Sequence, residues 1–490
     1  GSGFVQDDWK FTPKLTLNLG LRYEARTGWS EVHGNMRLFD PTLLNPATNT
    51  LGAMWYASTH TNGRTTAESP RWNNWYPRVG FAYQLYPTTT IRGGFGIYAY
   101  QWNANWDNPG IGQAGGSSGN ESDATNNVQP VVTLNDDGNT NFQGALGTSI
   151  NARYQSAPNK PESYNGQGVG FQQYHSAIPV VKEWNLDLQQ QIANNMVFEL
   201  SYVGSHGSSL PFVIDMNQVP ERLLSPTDSP GSRPFPQYQG ITGFTPQSIS
   251  NYNAMEVTLA RRMSYGLEFN ANYTWSHFLD TQDSSGWNSL QGTQAYQRSY
   301  DPLANYGASN FDVRNAFKAQ AIYQLPFGKN KMWLNKSEAV NEVVGGWTAS
   351  ATYIGQGGHP FTPTMSVNNS YAQSGSWYPN QVASPILGNR GINGWFNTAA
   401  FAAPTPGTFG NMRRNSVYGP GLQEMNASVH KRFPIIGERV GFDFSANATN
   451  VLNHPSFGQP DSTIGPGHTA TIRSLTVGGR TMEFVGKIIF

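Results

Sequence analysis

The chain has 490 residues, its 31 Lys and Arg balance 31 Asp and Glu, and only 13% of it is charged. A neutral balance excludes a nucleic-acid partner drawn in by net charge, and the absence of cysteine excludes disulfide frameworks and thiolate metal sites. An aromatic share of 13%, with 23 Tyr, 26 Phe and 14 Trp, excludes a disordered chain.

Mean hydropathy is nevertheless low, −0.49. Asn, Gln, Ser, Thr, Gly and Tyr supply the polarity that charge does not. A β surface with lipid on one side and water on the other gives this mixture. No apolar run reaches the roughly 18 residues of a membrane-crossing helix. The sequence opens Gly-Ser-Gly without a signal peptide, which is the expectation for a processed product or for a piece of a longer chain.

The first predicted strand is 4–12, followed by a turn at Pro13-Lys14. Leu15, Leu17, Leu19, Leu21 and Tyr23 then alternate with Thr16, Asn18, Gly20, Arg22 and Glu24. Such an alternation over about ten residues crosses a bilayer at a tilt. The leucines are expected to face lipid, and Thr16, Asn18 and Arg22 the lumen. A long polar loop is expected over 28–72. Strands follow at 75–85 and 91–99, and the longest irregular region is 101–179. The pattern repeats at 184–192 and 198–202, then at 255–261 and 267–275, with a proline-rich excursion over 209–250 between the pairs. Strands 317–325 and 347–353 flank an intermediate link, 326–346, that carries Lys329, Lys331 and Lys336. After the loop 357–419 come 425–433 and 440–448, and then the loop 450–478.

The last stretch, 479–490, places Met482, Phe484, Gly486, Ile488 and Phe490 on one face. A chain whose final strand carries an aromatic end residue matches a sheet whose last strand must not fray. Across about 13 predicted strands, short turns alternate with long loops, as in outer-membrane barrels with short periplasmic turns and long external loops. Sandwiches and propellers lack that alternation. Trp9, Tyr23, Trp75, Tyr98, Trp184, Tyr202, Tyr273, Trp275 and Trp347 fall near strand ends, as interface girdles do; β-propensity of aromatics is the plainer explanation.

Several stretches carry a family likeness. FVQDDWKFTPKLTLNLGLRYE at 4–24, YPRVGFAYQL at 76–85, YNAMEVTLARRMSYGLEFNANYTWSHFLD at 252–280, ANATNVLNHPSFG at 446–458 and EFVGKIIF at 483–490 resemble TonB-dependent outer-membrane transporters. The resemblance is nearest to the Oar-like group, whose members carry a carboxypeptidase-regulatory-like domain. It implies an all-β transmembrane barrel of about 22 strands, of which 1–490 would be the C-terminal portion, without the plug. It implies a Gram-negative outer-membrane location, no cofactor and no enzymatic activity. The implied partners are outer-membrane lipid, the TonB complex reached through a missing N-terminal plug, and the barrel-assembly machinery, which would read Phe484, Ile488 and Phe490.

The candidate chemistry is sparse. The nine His residues show no metal-binding spacing. Asp280, Asp283 and Asp301 are weak Ca²⁺ candidates without EF-hand order, and Asp312 with Arg314 reads first as a structural pair. Gly115-Gly116-Ser117-Ser118-Gly119 lacks the Lys-Ser/Thr of a P-loop. Trp102, Trp106, Trp287, Trp377 and Trp395 lie in expected external loops beside amides, a combination that suits sugars and peptides and equally suits packing the loops together. The expected cargo is a large polar solute: an oligosaccharide, a peptide or a chelate. The competing functions are a surface adhesin or assembly protein on the same barrel and, last, a soluble secreted enzyme.

Overall fold

The computed structural model describes residues 1–28, 30, 36–99, 112–113, 160–227, 230–283, 297–329, 331–334, 338–372, 375–437 and 439–490, without the side chains of 112, 113, 230 and 338–340. The long strands are β1 (Ser2–Thr12), β2 (Leu15–Arg26), β3 (Arg71–Tyr86), β4 (Thr89–Ala99), β5 (Val180–Ala193), β6 (Met196–Asp215) and β7 (Ile241–Ser264). They continue with β8 (Leu267–Asp280), β9 (Asn315–Gln324), β10 (Thr348–Gln356), β11 (Leu422–Ile436), β12 (Val440–Thr449) and β13 (Thr481–Ile489). Each pairs antiparallel with the next in sequence. Among the described residues β1 pairs only with β2 and β13 only with β12. The result is a large antiparallel all-β meander of the kind that forms membrane barrels.

One end of the meander is closed by tight turns and the other by long loops. At the turn between β7 and β8, Tyr265 and Gly266 both take positive φ, 51° and 79°, the backbone that two-residue hairpins require. Directly paired residues share a face of the sheet. The row Leu19, Val79, Phe95, Trp184 exposes Leu19 at 41%, Val79 at 49% and Phe95 at 41%. Large apolar side chains in a continuous exposed row mark a lipid-facing surface. Thr16, Asn18 and Arg22 alternate onto the opposite, inward face. Most of the expected girdle aromatics lie in outward rows. Tyr98 does not: it shares the inward face of β4 with Gly94 and Gly96, and its ring lies over Gly96 with the Arg78 guanidinium 4.6 Å above it. The outward position there belongs to Ile97.

The 28–72 region is not all loop. Met36–Asn45 and Thr50–Tyr56 form an antiparallel hairpin, with a register shift between Asp40 and Leu44 that accommodates Pro41. β6 and β7 also run well past 198–202 and 255–261, pairing out to Asp215 and Thr242. Their ladder shifts register around Pro211, so a residue that reads as a strand breaker becomes a bulge. Within 326–346 lies a short helix, α1 (Glu338–Val344).

The buried apolar clusters sit in the loops and in the extensions of β6 and β7 that reach into them. Phe39, Met54, Tyr56, Phe171, Phe212, Ile214, Tyr238 and Ile241 form one cluster around the far ends of β6 and β7. Phe361, Tyr378, Phe396, Phe401, Met412, Val417 and Ile464 form another in the connections after β10 and β12.

Leu19→Arg should destabilise the sheet in a lipid bilayer by about 2–4 kcal/mol, whereas Asn18→Arg on the inward face should cost much less. Denaturant titration of both variants refolded into lipid vesicles checks this, and equal costs would reverse the assignment of faces.

Candidate functional site

The inward face of β2 through β5 is paved with small residues. Gly20, Arg78, Gly96, Glu183, Ser205, Tyr252 and Phe278 form one register row, and Asp8, Asn18, Gly80, Gly94 and Asn185 form a neighbouring one. Gly20, Gly80 and Gly94 put no side chain into the lumen, which opens a bay of about 850 Å³ bordered by Gln6, Asn18, Arg78, Tyr98, Glu183 and Tyr252. Asn18 Nδ2 donates to Asp8 Oδ1 at 2.6 Å, and Asn185 Nδ2 donates to Asp187. Arg78 and Glu183 lie one strand apart on either side of Gly96. Both are exposed, and neither has an ion-pair partner among the described residues. Their backbones are about 10 Å apart from the strand spacing. The arrangement offers a cation, an anion, amides and an aromatic face around open backbone, a polar surface without a nucleophile or a general-base pair.

Above the bay, the loops are fastened by buried polar groups. Arg414 is 3% exposed. Its Nη2 reaches the Asp280 carboxylate, its Nη1 lies 2.6 Å from Asp283 Oδ1, and its Nε donates to the Asn305 carbonyl at 2.9 Å. Asn415 Nδ2 donates to both Asp283 oxygens and to the Ala308 carbonyl. Asp280 and Asp283 are therefore a docking point for the 357–421 connection, and Asp301 caps a 3₁₀ turn by accepting from Ala304 N. Asp312 pairs with Arg314 at 3.2 Å and with His277, and accepts from Tyr418 Oη at 2.9 Å. The Asp312–Arg314 pairing matches the sequence, but it lies just before β9.

Amide side chains do the rest of the fastening. Gln218 Nε2 donates to Gln297 O, Gln297 Nε2 to Gly410 O, and Gln237 Nε2 to the Leu51 and Gly52 carbonyls. On the other side of the loop layer, the Arg64 guanidinium is held between the Trp55 and Tyr174 rings at 4.2 and 4.3 Å and pairs with Asp40. Nearby Glu68 is buried, 3.3 Å from Arg26, and accepts from Gln172 Nε2 at 2.7 Å.

Of the tryptophans singled out in the sequence, Trp102, Trp106 and Trp287 lie outside the described residues, as does Gly115–Gly119. Trp395 packs against the Phe361–Ile464 cluster and donates from Nε1 to Tyr418 O at 2.9 Å. Trp377 is 36% exposed. The two are not brought to the bay. Neither the bay nor Arg414 stands out in the sequence; the bay's only linear trace is Gly93-Gly94-Phe95-Gly96, which reads as a feature of strand curvature. Phe484, Ile488 and Phe490 are exposed at 67%, 60% and 97%, the first two in outward rows of β13.

The outer membrane beta barrel domain family matches residues 1–483, and the chain belongs to it. It is an outer-membrane β-barrel protein. Among curated proteins it is similar to the TonB-dependent transporter Oar of Myxococcus xanthus, 24% identical over 346 residues. That match covers 65% of this chain and 28% of the relative, so the chain spans less than a third of the relative's length. Among solved structures it is similar to the outer membrane transporter YddB of Escherichia coli, with TM-score 0.46, 12% identity, and coverage of 100% of this chain and 44% of that one. The siderophore receptor PiuA of Acinetobacter baumannii gives TM-score 0.42, 11% identity, and coverage of 100% and 42%.

Two outcomes follow for the loops. Arg414→Met leaves two buried carboxylates facing each other, and should cost about 3–5 kcal/mol of docking stability, as breaking a buried ion pair does; limited proteolysis of the 357–421 connection reads the loss. Burial, opposed by Arg26, raises the Glu68 carboxyl above its ordinary 4.5. The folded state then holds a proton that the undocked state has released, so docking of 57–70 should weaken as pH rises from about 4.5 through the raised value. Hydrogen exchange of that loop should show this slope, and Glu68→Gln should flatten it.

Proposed function

We propose that these residues form the C-terminal portion of a TonB-dependent, Oar-like transporter barrel that binds and passes a large polar solute along the inward wall. The observation that carries the reading is the glycine-paved bay with Arg78 and Glu183 facing water across Gly96. A wall that merely closes a pore needs no such recess, and charges held outside an ion pair are suited to a passing polar ligand. The similarity to Oar supports transport rather than adhesion. The one-sided pairing of β1 and β13 supports a larger barrel, of about 22 strands in this class, in which TonB is reached through a plug carried outside these residues. On this reading Trp377 and the tryptophans of the external loops take first contact with the solute, and Phe484, Ile488 and Phe490 present the outward apolar edge that the assembly machinery recognises.

The test is binding of the full-length protein, refolded in bilayers, to three probes: a linear oligosaccharide, a decapeptide and a ferric hydroxamate chelate. One class should bind, and Arg78→Ala and Glu183→Ala should each weaken that binding tenfold or more, about 1.4 kcal/mol. Binding unchanged in both variants, or lost only on trimming the loops, would favour the adhesin. No binding of any probe would remove the solute assignment.

A further inference from the structure

We propose that the link between β9 and β10 is a lipid-anchoring foot, which lies on the outward face at the tight-turn rim and holds anionic phospholipid headgroups. A meander needs only a short turn here, yet the described residues of the 326–346 link form a built structure. Trp333 N donates to Pro326 O and Gly328 N to Trp333 O, both at 3.0 Å, so the segment folds back on itself with the Phe327 and Trp333 rings 5.7 Å apart. Gly328 has φ of 100°, and a Cβ there would lie 2.5 Å from Asn341 Oδ1 and 2.6 Å from Gly345 Cα. Lys329 N donates to the same Asn341 oxygen at 2.6 Å. The knuckle is thereby seated on α1.

The position of α1 follows from Lys431. On β11, Lys431 shares the outward face with Val429 and Phe433, in register with Phe444. It is a charged residue in an apolar row, yet it is only 3% exposed. Its Nζ donates to the carbonyls of Glu342 and Val343 at the end of α1 and lies 4.6 Å from the Phe433 ring. Trp347 Nε1 donates to Val343 O at 2.9 Å and its ring meets Phe433 and Phe444. Lysine at a helix C-terminus satisfies carbonyls that have no partner within the helix. The helix therefore rests against the lipid-facing surface and not in the lumen.

What the foot presents matches that place. Met332, Trp333 and Leu334 are exposed at 75%, 53% and 56%, and Val343 at 67%. Lys329 and Lys331, also exposed, immediately precede the Met332–Leu334 run, while Glu338 and Glu342 belong to the helix. In water this apolar group is a liability; beside the aromatic rows of β11 and β12 it is continuous with the bilayer surface. Short amphipathic segments with basic flanks and a Trp lie in the interface plane, and lysines there attract anionic headgroups. Tight turns of outer-membrane barrels face the periplasm, which assigns the foot to the periplasmic leaflet.

The chain has no cysteine, so single labels are clean. The full chain bearing Met332→Cys or Leu334→Cys, nitroxide-labelled and refolded in phosphatidylcholine bilayers with or without phosphatidylglycerol, is compared with Ile386→Cys in a long loop. Both foot labels should collide severalfold more with oxygen than with a water-soluble nickel chelate, and the control should do the reverse. Phosphatidylglycerol should deepen the foot labels, and Lys329→Gln with Lys331→Gln should abolish that deepening. Foot labels as wet as the control, or depth indifferent to phosphatidylglycerol, would overturn the proposal. Heat-modifiable migration on gels identifies variants that have failed to fold, and the second label position guards against that failure at the first.

Discussion

The backbone hydrogen bond is the constraint on which this structure depends. Hydrocarbon offers no partner for a peptide N–H or C=O, so every residue crossing it must be paired by its own chain. The unbroken antiparallel ladder from β1 to β13 meets that demand. Among the described residues the two outermost strands, β1 and β13, are each paired on one side only. Once the ladder is fixed, side-chain alternation sorts apolar groups outward and polar ones inward without further specification.

Outside the bilayer the same backbone demand is met differently. The loops are too long and irregular for ladders, and here the amide side chains suggested by composition find their use. Asn217 Nδ2 donates to the Phe235, Tyr238 and Gln239 carbonyls, a single side chain closing a segment that a strand would otherwise have paired. Low charge follows from this. Amides supply both a donor and an acceptor without the desolvation penalty of an ion, so ions are kept for points where several segments converge, as at Arg414.

The sequence made the ladder legible because period-two alternation is local. Leu15 to Tyr23 declares its strand and its outward face with no knowledge of partners. The Met36–Asn45 hairpin was hidden because Pro41 and its polar neighbours look like a loop until a bulge absorbs them. Tyr98 is a related case: composition reports an aromatic near a strand end, but only register reports that Ile97 holds the outward position. The bay and the Arg414 cluster were illegible for a stronger reason. Gly20, Gly80 and Gly94 are far apart in sequence and meet only through pairing, and Arg414 lies more than a hundred residues from Asp280.

The distribution of rigidity also has functional content. Buried apolar clusters and desolvated charges are concentrated in the loop layer, while the sheet presents a wall whose inward face is small and polar. A layer held by buried ion pairs is all-or-none, since removing one partner strands the other. The bay has no such interlock: Arg78 and Glu183 are exposed, and the Arg78 guanidinium lies over the Tyr98 ring. Shape is therefore fixed in the loop layer, whereas the wall offers open backbone and exposed side chains. The bay along β2 to β5 differs from that layer in being lined by open glycine backbone and exposed side chains rather than by desolvated ion pairs.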